Sequence, residues 1–414
     1  MGAMTSQSIA PTAWTERGTP AFRRASLALF LAGFSTFSLL YCVQPLLPLL
    51  AQAFRLGAAE SSLALSVSTG LLAISIFLAG AVSETVGRKT LMTASLCSAA
   101  VFNVLAACAP NWPTLLVARA LEGIALGGAP AVAMAYVAEE IHPDGLGYAM
   151  GLYIGGTAFG GMAGRVVTGI AADLGGWRVA MAVVGVLGLA SAAGFATLLP
   201  PSRNFVRKTG ATAGYHLRAW GGHLRHPGLP WLFAIGFLVM GGFVTLYNYS
   251  GFRLTQAPYS LSQTQAGLIF LVYLFGMVAS STAGALADRL GRAPVMIAGI
   301  VLFAMGLGLT LLTPLPAIVA GIAVVTTGFF MAHAVASGWV GRMAMGAKGH
   351  ASSLYLLAYY LGSSLMGSAG GWFWAKGGWT GVAAFVAILL GLALIAALRL
   401  RRISSAAAGY APAP

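Results

Sequence analysis

Arg119 and Glu122 stand three positions apart inside a stretch that is otherwise apolar, residues 113–138. On a helix that spacing puts both on one face. A charged side chain in hydrocarbon costs at least about 2.5–3.5 kcal/mol, so it needs a partner or a wet cavity. A carboxylate held by a guanidinium, and reached by water from alternate sides, can take up and release a proton. A static pair that holds its helix in register is the plainer alternative. His333, midway along another apolar stretch, is a second proton candidate; a hydrogen-bonded packing histidine is its plainer role. Arg165 is the other deep cation. Tyr41, Gln44, Tyr247 and Asn248 each combine apolar area with a polar handle, and Phe329 and Phe330 add aromatic surface. Around a shared cavity such side chains would select a small molecule loosely.

These residues need long apolar elements to hold them. Hydrophobic residues make up 58% of the 414 and charged residues 8%, against roughly 25% charged in a soluble chain. Too few charges remain to cover a water-exposed surface, so the chain is read as a polytopic membrane protein. A helix crosses the hydrocarbon core in roughly 20 residues. Apolar runs of that kind lie near 25–51, 61–82, 90–110, 113–138, 146–171 and 178–199. After a polar stretch, more lie near 230–254, 264–286, 294–313, 316–341, 350–373 and 378–398. The expected fold is an all-α membrane protein with about twelve transmembrane helices in two pseudo-symmetric six-helix bundles. The expected organisation is a tail over 1–24, a bundle over 25–200, a basic linker over 201–229, a second bundle over 230–399 and a tail over 400–414. A short interfacial helix is expected within the linker, over His216–Leu224.

Of the 23 Lys and Arg residues, 17 fall in loops on the side of the N-terminus and four on the other. That bias predicts both termini in the cytoplasm. It also explains the formal charge of +14 without nucleic acid. With this topology Arg119 and Arg165 come to similar depth, and together they would line an outer-half cavity of positive potential. Such a cavity favours an anionic or polar neutral solute over a cation. Cys42, Cys97 and Cys108 lie within or beside apolar runs and show no metal-ligand spacing. Residues 1–22 are polar and the first apolar run is too long for a leader's core, so no cleavable leader is expected.

An internal repeat ties the halves together. Gly80-Ala-Val-Ser-Glu-Thr-Val-Gly-Arg-Lys89 recurs as Gly284-Ala-Leu-Ala-Asp-Arg-Leu-Gly-Arg-Ala293, 204 positions later. Gly156, Gly161 and Gly164 likewise parallel Gly362, Gly367 and Gly370. Over essentially its full length the chain resembles the major facilitator superfamily, whose charged turn reads G-x-x-x-D-[RK]-x-G-[RK]-[RK]. Gly284, Asp288, Arg289, Gly291 and Arg292 carry the match. In the first copy Gly80, Gly87, Arg88 and Lys89 match, while Glu84 replaces Asp and Thr85 replaces a basic residue. Arg119-Ala-Leu-Glu122-Gly123 resembles the R-x-x-Q-G pattern of the twelve-helix drug:proton antiporter branch. Gly156-x-x-x-Gly160-Gly161-x-x-Gly164-Arg165 resembles its G-x-x-x-G-P-x-x-G-G pattern, with Gly161 for proline and Arg165 for the last glycine. Gln44-Pro45, Tyr247-Asn248-Tyr249 and His333 together look like the YnfM-type exporters of that branch.

The resemblance implies alternating access, with the charged turns as a conformational latch. Arg88, Lys89 and Arg292 would pair with Glu84 or Asp288, or with Glu139 and Glu140. Gly156, Gly160, Gly161 and Gly164 in the run 146–171, and Gly362, Gly367 and Gly370 in the run 350–373, would allow close approach between the halves. The expected function is secondary active transport, as a proton-coupled antiporter exporting a small organic molecule. The alternative is a facilitator or importer of a small polar or anionic metabolite. A receptor or scaffold would need a large soluble binding domain, which this sequence lacks. No nucleophile elbow, phosphate loop or metal-ligand cluster appears, so no enzyme is expected. No cofactor is expected beyond the proton as coupling ion. The expected partners are the lipid bilayer and a small-molecule substrate, and the expected setting is a bacterial inner membrane, as a monomer.

Overall fold

The computed structural model describes residues 14–205 and 213–408; of residues 80–85, 213 and 405–408 it describes the backbone alone. Fourteen helices account for nearly all of it. Apolar sequence in lipid leaves the backbone no outside partner, so helices that satisfy their own hydrogen bonds are the natural outcome.

The elements before the linker are α1 (Pro20–Tyr41), α2 (Leu47–Phe54), α3 (Ala58–Val86), α4 (Arg88–Ala107), α5 (Trp112–Leu126), α6 (Gly128–Glu140) and α7 (Pro143–Leu198). The linker holds α8 (Ala213–Arg225). After it come α9 (Leu229–Thr255), α10 (Gln263–Leu268), α11 (Tyr273–Leu290), α12 (Arg292–Leu309), α13 (Leu315–Met343) and α14 (Lys348–Ala408). Ten stretches are long and apolar enough to cross a membrane, and two of these, Pro143–Leu198 and Lys348–Ser404, have 56 and 57 residues. Each of the two is broken once, at Gly175 and Gly176 and at Gly378. The result is twelve crossing segments among the described residues, as expected from hydropathy. Both ends of the described chain and α8 share one face, called the linker face below; the opposite one is the far face.

Local chemistry sets the boundaries. Thr19 accepts from the Phe22 N–H and Pro20 opens α1, while Asn111 caps α5 with Pro113 just inside it. The two charged turns are built alike. Gly87 between α3 and α4 has φ 99°, and Gly291 between α11 and α12 has φ 91°. Only glycine adopts that backbone without strain, which is why both copies of the repeat keep it.

The glycine stripes act within the halves rather than between them, which corrects the sequence expectation. A Cβ on Gly156 or Gly160 would land on the carbonyl of Phe30 or Phe34, and one on Gly164 would come within 2.7 Å of the Ser38 Cα. The first limb of α7 therefore lies directly on α1. Gly362 faces the Phe237 carbonyl and Gly370 faces Thr245 and Tyr249, so α14 lies on α9 in the same manner. Gly367 meets both Val244 and, less closely, Ser66 of the other half. The first and seventh spans are 72% buried, against 44–56% for the others. They are the central elements around which the rest pack.

The halves meet mainly toward the far face. Ser364 donates to the Ser66 carbonyl at 2.7 Å, and Ser368 Oγ lies 2.7 Å from Ser66 Oγ. Gly70 and Gly371 let α3 and α14 close up around this ladder, and Gly169 and Gly267 do the same for α7 and α10. Asp173 at the far end of the first α7 limb accepts from the backbone N–H groups of Gln263 at 3.0 Å and Thr264 at 2.8 Å. On the linker face the only inter-half connection with described side chains runs through α8. Trp220 stacks on Phe77 of α3 at 3.8 Å, and His216 Nδ1 lies 2.8 Å from His350 Nε2 of α14.

Candidate functional site

A cavity of about 760 Å³ lies between the halves, within the range of small-molecule sites. Ile76, Met134, Gly151, Ser281 and Ser337 line its outer reach, all on the linker-face limbs of their helices. Tyr41, Gln44, Arg165 and Tyr273 form its deep end. The far-face contacts between α3 and α14 and between α7 and α10 close it beyond that point. The cavity therefore opens toward the linker face alone.

Arg165 is the sole Lys or Arg among the described residues of the wall. Its Nε donates to Gln44 Oε1 and its Nη1 to the Gly161 carbonyl, both at 2.7 Å. The guanidinium carbon stands 4.3 Å from the ring centre of Tyr41, 4.8 Å from Phe270 and 5.1 Å from Tyr273. A Cβ on Gly161 would lie 3.3 Å from its Nη1, so the glycine that replaces a patterned proline makes room for this side chain. Gln44 is placed by the break in helix 1, where α1 ends at Tyr41 and a short turn over Gln44–Leu46 leads into α2. Its Nε2 donates to Asn248 Oδ1 of α9 at 2.7 Å. One amide thus links Arg165 to the other half.

The remaining candidates divide. Phe329, Phe330 and His333 line the cavity. Phe329 stacks on Phe243 at 3.8 Å, His333 lies parallel to Phe329 at 5.8 Å, and His333 Nδ1 is 2.9 Å from the Tyr355 hydroxyl. Tyr247 and Asn248 stand behind the wall. Tyr247 bonds Thr326 at 2.7 Å, and Asn248 reaches only Gln44.

Arg119 and Glu122 are paired at 2.5 Å, fully buried, and off the cavity wall. The expectation that Arg119 and Arg165 would share an outer-half cavity is corrected: Arg165 lines a cavity open on the linker face, and Arg119 is sealed within the first half. Its guanidinium is drawn away by carbonyls. Nε donates to Ala64 O at 2.9 Å, and Nη2 donates to Leu40 O at 2.8 Å. Glu122 Oε1 is buried with no hydrogen-bond partner.

The charged turns make pairs inside each half. Arg88 bonds Glu139 at 2.7 Å, and Lys89 donates to the Leu199 carbonyl. Arg292 and Arg342 both reach Asp288, at 3.1 and 3.3 Å. Arg289 is exposed. Glu140 accepts from the Asn204 N–H rather than from a cation of the turn. The side chains of Gly80 to Thr85, Glu84 included, lie outside the described residues. No ion pair joins the halves among those described.

Sequence reasoning passed over Asp173, the serine ladder and the rings of Phe243, Phe270 and Tyr273. The ladder had a signal, since Ser62, Ser66 and Gly70, like Ser364 and Ser368, recur every fourth residue. Asp173 had none, because its partners are backbone groups of a distant helix.

Twelve helices in two like halves around a central cavity define a secondary transporter, and the chain belongs to the Major Facilitator Superfamily, whose sequence profile matches residues 29–257 and 252–412. It is 48% identical to the inner membrane transport protein YnfM of Escherichia coli (strain K12), over 95% of this chain and 94% of that one. It is 43% identical to the uncharacterized MFS-type transporter YybF of Bacillus subtilis (strain 168), over 92% and 94%. The fold resembles the crystal structure of the nucleoside transporter NupG, with a TM-score of 0.73 at 15% identity, over 91% of this chain and 99% of that one.

Proposed function

We propose that the chain is a proton-coupled antiporter that exports a small organic molecule across a bacterial inner membrane. The excess of basic loops on the linker face supports placing that face in the cytoplasm. The cavity would then be open inward, ready to load. The observation that carries the proposal is the cavity open on one side only, beside a sealed carboxylate–guanidinium pair in one half. Closing the linker face around solute, and parting the far-face ladder, would move the cavity to the other side. The charged turns, whose described pairs lie within each half here, are proposed to engage across the halves in that second state. A monomer supplies every element this cycle uses.

Glu122 is the proposed proton carrier. In the inward-open state it faces only Arg119, so proton exchange would belong to the outward-open state. Proton and solute then compete through the shared break in helix 1, which Arg119 and Gln44 both hold. A solute can bias the two states only by differential affinity for them.

The test uses inverted vesicles and a solute found by thermal-shift screening. Wild type is expected to accumulate it when an inside-acid pH gradient is imposed. Glu122→Gln is expected to lose gradient-driven accumulation and to keep gradient-independent counterflow. Full gradient coupling in Glu122→Gln would remove Glu122 from the role. His333→Gln, made in parallel, tests the second candidate. The single fixed charge among the wall's described residues, a cation, favours one other arrangement: a facilitator or importer of an anionic metabolite. Wild-type counterflow that is indifferent to pH would select the facilitator.

A further inference from the structure

We infer that the transported solute is a small organic monoanion with a planar apolar body, held by Arg165 through its carboxylate or an equivalent acidic head. The inference rests on taking the cavity as the transport site, and it names the class of molecule that cavity admits.

The argument starts from unmatched charge. Arg165 is 2% exposed and carries a full positive charge at the deep end of the cavity. A charge held out of bulk water is costly unless it is paired. The chain has nine acids, and none whose side chain is described is at hand. Glu122 is on Arg119, Glu139 on Arg88, and Asp288 on Arg292 and Arg342. Glu60, Glu140 and Asp173 are each taken by backbone N–H groups elsewhere. Glu16 and Asp144 are exposed near the linker face. Glu84, with an undescribed side chain, falls two residues before the linker-face end of α3. Among the described residues, the wall of the cavity contains no carboxylate.

Unmatched donors point the same way. A guanidinium has five N–H donors in a planar fork. Gln44 takes one and the Gly161 carbonyl takes another. Three remain without an acceptor among the described residues, on the two terminal nitrogens. That pattern leaves the fork edge suited to a carboxylate, the geometry for which arginine is better than lysine. A purely structural arginine would spend those donors on carbonyls, as Arg119 does. Gln44 acts as a positioning residue: it fixes Nε, so the terminal nitrogens are aimed rather than free to swing.

The rest of the wall sets the body of the molecule. The rings of Tyr41 and Tyr273 flank the guanidinium, and the stacked Phe243–Phe329 pair with His333 forms another part of the same wall. Flat rings favour a flat apolar partner by offset or edge contacts. With one cation and no second among the described wall residues, a dianion would bury an unpaired charge, and a cation would be repelled.

Three isosteric probes separate these cases: benzoate, benzamide and benzamidinium, which differ in head charge and share a planar shape. Binding is measured by calorimetry and by thermal shift on the purified full chain at matched ionic strength and pH. Benzoate is expected to bind at least about tenfold more tightly than either other probe, the difference a charged hydrogen bond makes. Arg165→Gln should abolish that preference, Arg165→Lys should reduce it, and Gln44→Leu should weaken benzoate more than benzamide and so narrow the preference. Equal binding of the three probes by wild type would overturn the inference. So would an undiminished benzoate preference in Arg165→Gln or Arg165→Lys; the lysine variant keeps the charge and guards against misfolding. Counterflow of labelled benzoate in proteoliposomes is read separately. Benzoate that binds through Arg165 but is not carried would support the anion site and reject the transport role of the cavity.

Discussion

Replacing Arg119 with alanine is expected to destabilise the folded protein by about 3–5 kcal/mol, the range for removing one partner of a buried ion pair. The cause is double. Glu122 would be left buried with no cation, its Oε1 already without a partner. The carbonyls of Leu39, Leu40 and Ala64 would also lose donors. Leu39 and Leu40 lie just before the point where α1 ends, and the Pro45 that follows has no N–H to offer the turn before it. Arg119 is thus the clamp that lets helix 1 break there, and the break is what delivers Gln44 to Arg165. Unfolding in detergent, followed by intrinsic fluorescence against denaturant, measures the loss.

A second substitution separates the two causes. Arg119→Ala with Glu122→Gln removes the stranded charge and leaves the carbonyls without the arginine's donors, Cys42 Sγ still reaching Leu39 O and Ser68 Oγ still reaching Ala64 O. The double variant should recover part of the loss, and the non-additivity reports the pair's coupling. Arg119→Lys keeps the charge without the fork and should fall between. An Arg119→Ala protein within about 1 kcal/mol of wild type, the scale of an ordinary substitution, would show that the helix-1 break needs no clamp.

The fold was largely legible from hydropathy and the repeat, because each span is a length of apolar sequence bounded by glycine, proline or charge. Gly87 and Gly291 could be matched by eye, and their positive φ values explain the match. The site was legible one residue at a time. Arg165 stood out as a cation among the glycines of a membrane span, with a bond to backbone carbonyls as its plainer alternative. What could not be read was which cation meets which acceptor. Arg119 and Arg165 have similar depth in the sequence, yet one turns into its own half and the other faces the gap. That choice depends on how helices rotate about their axes, and the carbonyls freed by the break in helix 1 decide it. The glycines of α7 and α14 were misassigned for the same reason. Spacing shows that a face is smooth, and only packing shows which neighbour uses it. Asp173 escaped notice because a carboxylate that caps a distant helix leaves no pattern in its own.

Joining Ser66 and Ser368 covalently is expected to stop transport completely and reversibly. Their hydroxyls lie 2.7 Å apart across the two halves, close enough for cysteines at both positions to approach disulfide geometry. Cys42, Cys97 and Cys108 are free; they would be replaced first, Cys108 above all because it is exposed. Oxidation of Ser66→Cys with Ser368→Cys should hold the far face shut and trap the cavity open toward the linker face. Labelled benzoate counterflow, or that of a solute from the screen, should fall to the level of empty liposomes and return on reduction. Either single cysteine under oxidant should stay near the uncrosslinked rate. The outcome turns on whether the ladder is a gate or a seam. A seam would stay closed throughout the cycle, and crosslinking it would change nothing. The small residues argue for a gate: Gly70, Gly371 and the serines give contact without deep interdigitation, and hydroxyl pairs in such a contact are worth little each, about 0.6 kcal/mol on average in membrane helices. A contact of many weak parts can close tightly and still open at the free energy one proton or one bound solute supplies. Transport that continues through the crosslinked protein would place the moving boundary elsewhere.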